Sequence, residues 1–321
     1  MPEAGMPEPH RPQKVLGHER VRADFSRALA ASRLPHAWLL HGPRGIGKRL
    51  LADELAMLAI CDTHSACGEC HPCRLFLAGS HPDVFHAERI EGKRDISVEQ
   101  VRDVLEFLAL SGAKGQRRIV VLDDAERMNH QAANALLKGL EEPSPGSLLL
   151  IVCAELERLP ATIRSRCLLQ PCAPLDEDAV SRVLDAMGMA KAHKALAMSL
   201  ADGAPGRVAC LCDAEIARAL ADWMELTREI AQADIGRLEA WIRQHVTRVP
   251  HELIARVLWQ TQFDVLADLQ HRDVAAAREA ERAMLACLAW PQDVIRHGLR
   301  PAMSLLARTL TLRAALRAGR T

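Results

Sequence analysis

The sequence predicts a doubly wound α/β domain, a parallel sheet with helices on both faces, followed by all-helical segments. Three observations predict it. An apolar strand beginning at Ala37 runs into a glycine-rich turn and then a helix. Two more all-apolar runs, Ile119–Leu122 and Leu148–Cys153, lie between helical patterns, as strands buried on both faces do. From Asp213 onward there is no strand signal, and alanine, leucine and arginine dominate. The 321 residues divide into a flexible arm over 1–13, an α/β domain over 14–173, a small helical unit over 174–212 and a helical bundle over 213–321.

Composition narrows the function classes. Apolar residues make up 49% of the chain, enough for packed cores, while 41 acids balance 41 bases. A zero net charge argues against coating nucleic acid by bulk electrostatics. Aromatics are 3%, with no tyrosine, so a base-stacking platform is not expected. Met1 to Pro12 is polar and proline-rich, unlike a signal peptide. Apolar runs such as Leu148–Ala154 are too short to cross a bilayer. The expectation is a cytoplasmic protein with no membrane contact, whose ten cysteines stay reduced.

Apolar Val21, Phe25, Ala28 and Leu29 place a helix over 19–31, ended by Pro35. The strand from Ala37 to Leu40 then delivers the turn His41–Gly42–Pro43–Arg44–Gly45–Ile46–Gly47–Lys48–Arg49. Gly42, Gly45 and Gly47 let the backbone aim its N–H groups at one point. The start of the next helix adds partial positive charge, and Lys48 a full one; this is a phosphate cradle. The pattern G-x-x-x-x-G-K-[ST] holds through Lys48 and then fails. Arg49 stands where a hydroxyl would hold Mg²⁺, and its charge repels that ion.

Lys48 to Ile60 reads as a helix, and a cysteine cluster follows. Cys61, Cys67, Cys70 and Cys73 are spaced C-x5-C-x2-C-x2-C. Four thiolates so close in a reducing compartment suit structural Zn²⁺, with no open position for catalysis. A reduced loop without metal is the alternative, and His64, His71 or His81 could replace a cysteine. The remaining cysteines, Cys153, Cys167, Cys172, Cys210, Cys212 and Cys287, read as small core residues.

Ser97 opens a helix with Val101, Val104, Leu105 and Leu108 on its apolar face, and a polar loop spans 112–118. The strand Ile119–Leu122 ends on Asp123 and Asp124, at the edge of the sheet where ligands sit. This is the Walker B arrangement, in which the first acid helps hold Mg²⁺ and the second, normally glutamate, polarises water. Asp124 is one methylene too short for that second task. Both acids could instead be helix caps. A helix over Ala132–Ala133–Asn134–Ala135–Leu136–Leu137–Lys138–Gly139–Leu140–Glu141–Glu142 is stopped by Pro143. Arg164 and Arg166 fall in a short polar segment that ends at Cys167. Leu175 to Gly206 forms the small helical unit. Leu253, Ile254, Val257, Leu258, Val265, Leu266 and Leu269 mark one bundle helix, and Leu305, Leu306, Leu312 and Leu316 another.

Together these residues resemble the clamp-loader branch of the AAA+ family over nearly the whole chain. The Ala132–Pro143 helix and the triplet Ser165–Arg166–Cys167 are specific to that branch, and the cysteine insert points to its zinc-bearing bacterial members. The resemblance implies an AAA+ P-loop domain, a helical lid and an oligomerisation collar. It makes Gly42, Gly45, Gly47 and Lys48 a Walker A loop, Asp123 the Walker B acid and the four cysteines zinc ligands. Arg166 becomes an arginine finger that enters a neighbour's ATP site. The implied partners are ATPase gamma/tau-type and delta-type subunits in a hetero-pentamer, with the sliding clamp and primed DNA met through the complex.

The departures from the family pattern matter equally. Besides Arg49 and Asp124, Cys153 and Ala154 stand where motor subunits place a polar sensor. Gly206 stands at a second sensor position, with Arg207 one step out of register. The expectation is therefore a stator that does not hydrolyse ATP, though ATP or ADP binding stays open. The rivals are a working ATPase and a zinc-containing DNA-binding module. No polymerase or exonuclease acid constellation is present.

Overall fold

The computed structural model describes residues 15–90, 93–110 and 117–318. The expected arm over 1–13 and most of the expected loop over 112–118 lie outside them. The chain divides into two compact units, Met1–Val180 and Ser181–Thr321.

The first unit runs α1 (Glu19–Ala30), β1 (Ala37–His41), α2 (Lys48–Ile60), α3 (His71–Leu77), β2 (Val84–Ala87), α4 (Val98–Ala109), β3 (Arg118–Leu122), α5 (His130–Glu141), β4 (Ser147–Cys153), α6 (Ala161–Arg164) and β5 (Leu168–Pro171). Its five strands are parallel and lie in the order β2-β3-β4-β1-β5. The three central strands are the apolar runs evident in the sequence, and β4 is buried along its whole length. The two edge strands lack that signature because only one neighbour covers them. β2 is half-buried, and β5 is mostly exposed and ends on Pro171, which an edge tolerates.

Successive strand residues face opposite ways, so both sides of the sheet are apolar. Leu39, Val120, Leu122, Leu149 and Ile151 pack with Val101, Val104 and Leu108 of α4 and with Ala132, Leu136 and Leu140 of α5. Each large side chain taken fully out of water contributes roughly 1.5–3 kcal/mol. α2 packs on β1, β3 and β4, and Phe25 of α1 meets Trp38 of β1 edge-on at 5.0 Å. The helix ends follow local chemistry. Ser97 and Gln100 form a reciprocal capping box at α4. Asn129 accepts the Ala132 N–H at 2.8 Å to start α5, which ends two residues before Pro143.

The chain leaves the sheet through α7 (Glu177–Ala186), within which the two units divide. The second unit continues with α8 (Lys191–Ala201), a 3₁₀ stretch over Pro205–Cys212, α9 (Ala214–Arg228), α10 (Ile235–His245), α11 (His251–Arg272), α12 (Val274–His297) and α13 (Pro301–Ala318). It contains no strand among the described residues. α11 packs on α9 and α12, and α12 on α13. Trp223 and Trp241 stack at 4.4 Å, and their ring N–H groups donate to the Ile254 and Ala219 carbonyls. No described helix is long and apolar enough to cross a membrane.

Candidate functional site

Both binding motifs are mounted on α2, the phosphate turn at its first residue and Cys61 just past its last. The turn leaves the C-terminal end of β1 in the conformation its glycines permit. Gly42, Gly45 and Gly47 have φ of +151°, +84° and +91°. A β-carbon on Gly42 would come within 2.1 Å of the Cys172 carbonyl oxygen, so no other residue fits there.

The charged groups around this turn are already paired. Lys48 is buried, and its Nζ donates to the carbonyls of Gly42 and Pro43, both at 2.7 Å. Burial holds its ammonium below the ordinary lysine pKa. Arg49 turns back over the first turn of α2. Its Nη1 lies 3.2 Å from Glu88 Oε2 and 3.7 Å from Asp123 Oδ2, and its Nε lies 3.4 Å from Asp53. Mg²⁺ does not fit this arrangement. The hydroxyl ligand is missing, and the acid that would bind the ion faces a fixed guanidinium. Burial pushes the Asp123 carboxyl above its usual range, although Arg49 and the Asp124 N–H pull it back in part.

Arg44, also in the turn, reaches across the C-terminal edge of the sheet. It donates to Asp124 Oδ1 at 2.9 Å and to Glu126 Oε1 at 2.5 Å. The Glu126 side chain is fully buried, and its other oxygen accepts the Ala154 N–H at 3.1 Å. One buried carboxylate therefore joins the turn after β1, the acids after β3 and the backbone after β4. Burial opposes the charge on Arg44, but Asp124 and Glu126 raise its pKa on balance. Burial and Glu126 push the Cys153 thiol up to about 12, so it stays neutral. Sequence reasoning missed the pairing of Arg44 with Glu126. They lie 82 residues apart, and neither stands at a motif position.

The four cysteines do converge. Their sulfurs lie within 4.8 Å of one another, so the cluster can hold a metal ion. The sulfur–sulfur distances are 3.6 Å for Cys61–Cys67, 4.0 Å for Cys67–Cys73 and 3.9 Å for Cys70–Cys61. A tetrahedron with Zn–S bonds of about 2.3 Å has edges of about 3.8 Å, so zinc fits. Burial raises the Cys61 thiol, but the Thr63 hydroxyl and surrounding backbone N–H groups outweigh it and bring it to about 5. The N–H groups of Cys70 and Glu69 lower Cys67, whereas burial raises Cys73. Two of the alternative ligands are engaged elsewhere: a ring nitrogen of His64 meets the Leu58 carbonyl, and His81 Nδ1 accepts the Asp83 N–H. The short helix α3, unforeseen in the sequence, begins just after Cys70 and buries Cys73.

Arg166 lies in the turn between α6 and β5. Its Nη1 donates to the Thr162 carbonyl at 2.9 Å, and its Nη2 pairs with Glu141 Oε1 at 2.7 Å. In the second unit Arg207 faces Asp202 at 3.7 Å, a carboxylate it shares with Arg256.

Residues 17–175 match the family described as DNA polymerase III, delta subunit. A DNA polymerase III subunit delta' from Pseudomonas aeruginosa is 48% identical over 149 residues, 46% of this chain and 45% of that protein. Its counterpart from Escherichia coli K12 is 36% identical over 198 residues, 60% of this chain and 59% of that protein. The chain thus spans about half the length of these curated relatives in the matched part. A solved DNA polymerase III gamma subunit-related protein from Thermotoga maritima superposes with a TM-score of 0.55 at 16% identity, covering 92% of this chain and 99% of that one. That likeness shows the fold alone. Over residues 17–175, therefore, this chain is similar to the delta and delta' subunits of DNA polymerase III.

Proposed function

We propose that this chain is the stator of a clamp-loader complex, supporting ATP-dependent loading of a sliding clamp onto primed DNA during replication. The observation that carries the reading is the Arg49–Asp123 pair, which takes the magnesium-binding acid out of service. A site without its metal cannot neutralise a leaving γ-phosphate. The chain's contribution is then made outside its own turn, through Arg166.

As a γ-phosphate leaves, negative charge spreads over its oxygens, and an arginine offered from a neighbouring subunit stabilises it. Such fingers contribute on the order of 10³–10⁵ in rate. Arg166 is partly exposed, and among the described residues its contacts leave guanidinium N–H groups to spare. In this reading the chain sits in a hetero-pentamer with ATPase gamma/tau-type and delta-type subunits. Residues 14–173 form the P-loop-like domain, 174–212 the lid and 213–321 the collar. Zn²⁺ on Cys61, Cys67, Cys70 and Cys73 is structural, and the setting is the cytoplasm. Any link to nucleotidyl transfer comes through membership of the polymerase holoenzyme.

The test is Arg166→Ala in a loader rebuilt from its subunits. Folding and zinc content should be unchanged, and the ATPase of the site that Arg166 serves should fall by orders of magnitude. An unchanged rate removes Arg166 from the role. Brisk ATP turnover by the isolated chain, abolished by Lys48→Ala, would favour a working ATPase instead.

A further inference from the structure

The two sequence features peculiar to clamp loaders, the Ala132–Pro143 helix and the Ser165–Arg166–Cys167 triplet, are joined in space by one ion pair, Glu141 to Arg166. We propose that Glu141 is a positioning residue that aims the Arg166 guanidinium at the neighbouring ATP site. The inference rests on reading Arg166 as a finger and adds what orients it.

Glu141 is the last residue of α5, and that helix is fixed along its length. Ala132, Ala133, Leu136 and Leu140 are buried on its inner face. Its N-terminal end follows directly on the turn that carries Asp123, Asp124 and Glu126, which Arg44 ties to the phosphate turn. A helix of 12 residues spans about 18 Å, so α5 is a rod from the disabled phosphate site to the finger. At the far end three contacts hold the guanidinium: Glu141 on Nη2, and the Thr162 carbonyl and Ser165 hydroxyl on Nη1, the last at 3.4 Å. Of these partners only Glu141 lies outside the finger's own turn. Among the described residues nothing else engages the guanidinium, and its other N–H groups are available to phosphate oxygens.

The pair is half exposed, so it adds little to stability. Its effect is on orientation. A free arginine side chain samples many rotamers, and ordering it before it meets the phosphate removes that entropic cost from the catalysed step. Loss of the tether should lower the rate by about tenfold, far less than loss of the guanidinium itself.

The experiment measures the Arg166-dependent part of the ATPase in the rebuilt loader, with kcat and KM for ATP resolved. Glu141→Ala should lower kcat with little change in KM, and Glu141→Asp should recover most of it. The double variant Glu141→Ala with Arg166→Ala should be no slower than Arg166→Ala alone, because an aiming residue has nothing left to aim. An unchanged or faster rate for Glu141→Ala overturns the proposal, the faster rate marking Glu141 as a brake. So does an additive loss in the double variant, which would place its effect elsewhere in the fold. If Arg166→Ala itself has no effect, the finger reading fails instead, and the two failures are distinct.

Discussion

The two ends of α2 carry two binding motifs, and they differ in what their own side chains have done with them. At its C-terminal end the four sulfurs lie within 4.8 Å of one another, close enough to share one ion. At its N-terminal end Lys48, Arg49 and Arg44 have each found partners inside the chain. Ligand spacing was legible in both cases. What separates them is placement: four sulfurs that converge can share an ion, whereas charged groups paired within the chain close on one another. Arg44 makes the phosphate turn a strut across the sheet edge, and the cysteine cluster keeps a geometry that could hold a metal ion.

The largest expected effect tests the metal side of this contrast. Cys73 is fully buried, so Cys73→Ser should take bound zinc from one equivalent to a small fraction, with a clear fall in melting temperature. Retention of stoichiometric zinc by the variant would break the four-cysteine assignment. Ligand thiolates compete with protons, so zinc affinity should also fall as pH is lowered.

The next test asks whether the turn is now structure. Gly42→Ala should destabilise the protein by about 3 kcal/mol or more, because the new methyl meets an immovable carbonyl at a φ that side chains avoid. Thermal melts without any nucleotide would read it, and a neutral result would mean that the backbone can relax. A smaller loss, about 1–3 kcal/mol, is expected for Glu126→Ala, which strands the Ala154 N–H and half of the Arg44 fork. Hydrogen exchange should then rise together at the turns after β1, β3 and β4.

The smallest effect has a sign set by pH. Burial raises the folded-state pKa of Asp123 above its unfolded value. Folding therefore binds a proton here, and this group's contribution to stability declines as pH rises through the folded pKa. Asp123→Asn should be slightly stabilising at neutral pH, with the gain vanishing below the unfolded aspartate value. Comparative melts at acid and neutral pH would show it. A destabilised variant at neutral pH would mean that the Arg49 pair matters more than burial.

Several features lay open in the chain because their causes are local. The limits of α2, the capping box at Ser97 and the strands at the centre of the sheet follow from glycine, side-chain caps and unbroken apolar runs. Strand β2 was hidden because one edge leaves it half-buried with His86 in its middle, and α3 because it is seven residues long within a cysteine loop. Elements this short offer too few residues for a period to register.

By itself the sequence determined the parallel sheet, the close spacing of the four cysteines and the absence of a hydroxyl after Lys48, where Arg49 stands. Those properties rest on residue type and short spacing. The tertiary structure alone decided that Arg49 faces Asp123, that Arg44 and Glu126 lock three loops together, and that Glu141 meets Arg166. Electrostatic partners are chosen by proximity after the strands have taken their order, and no short-range pattern encodes that order.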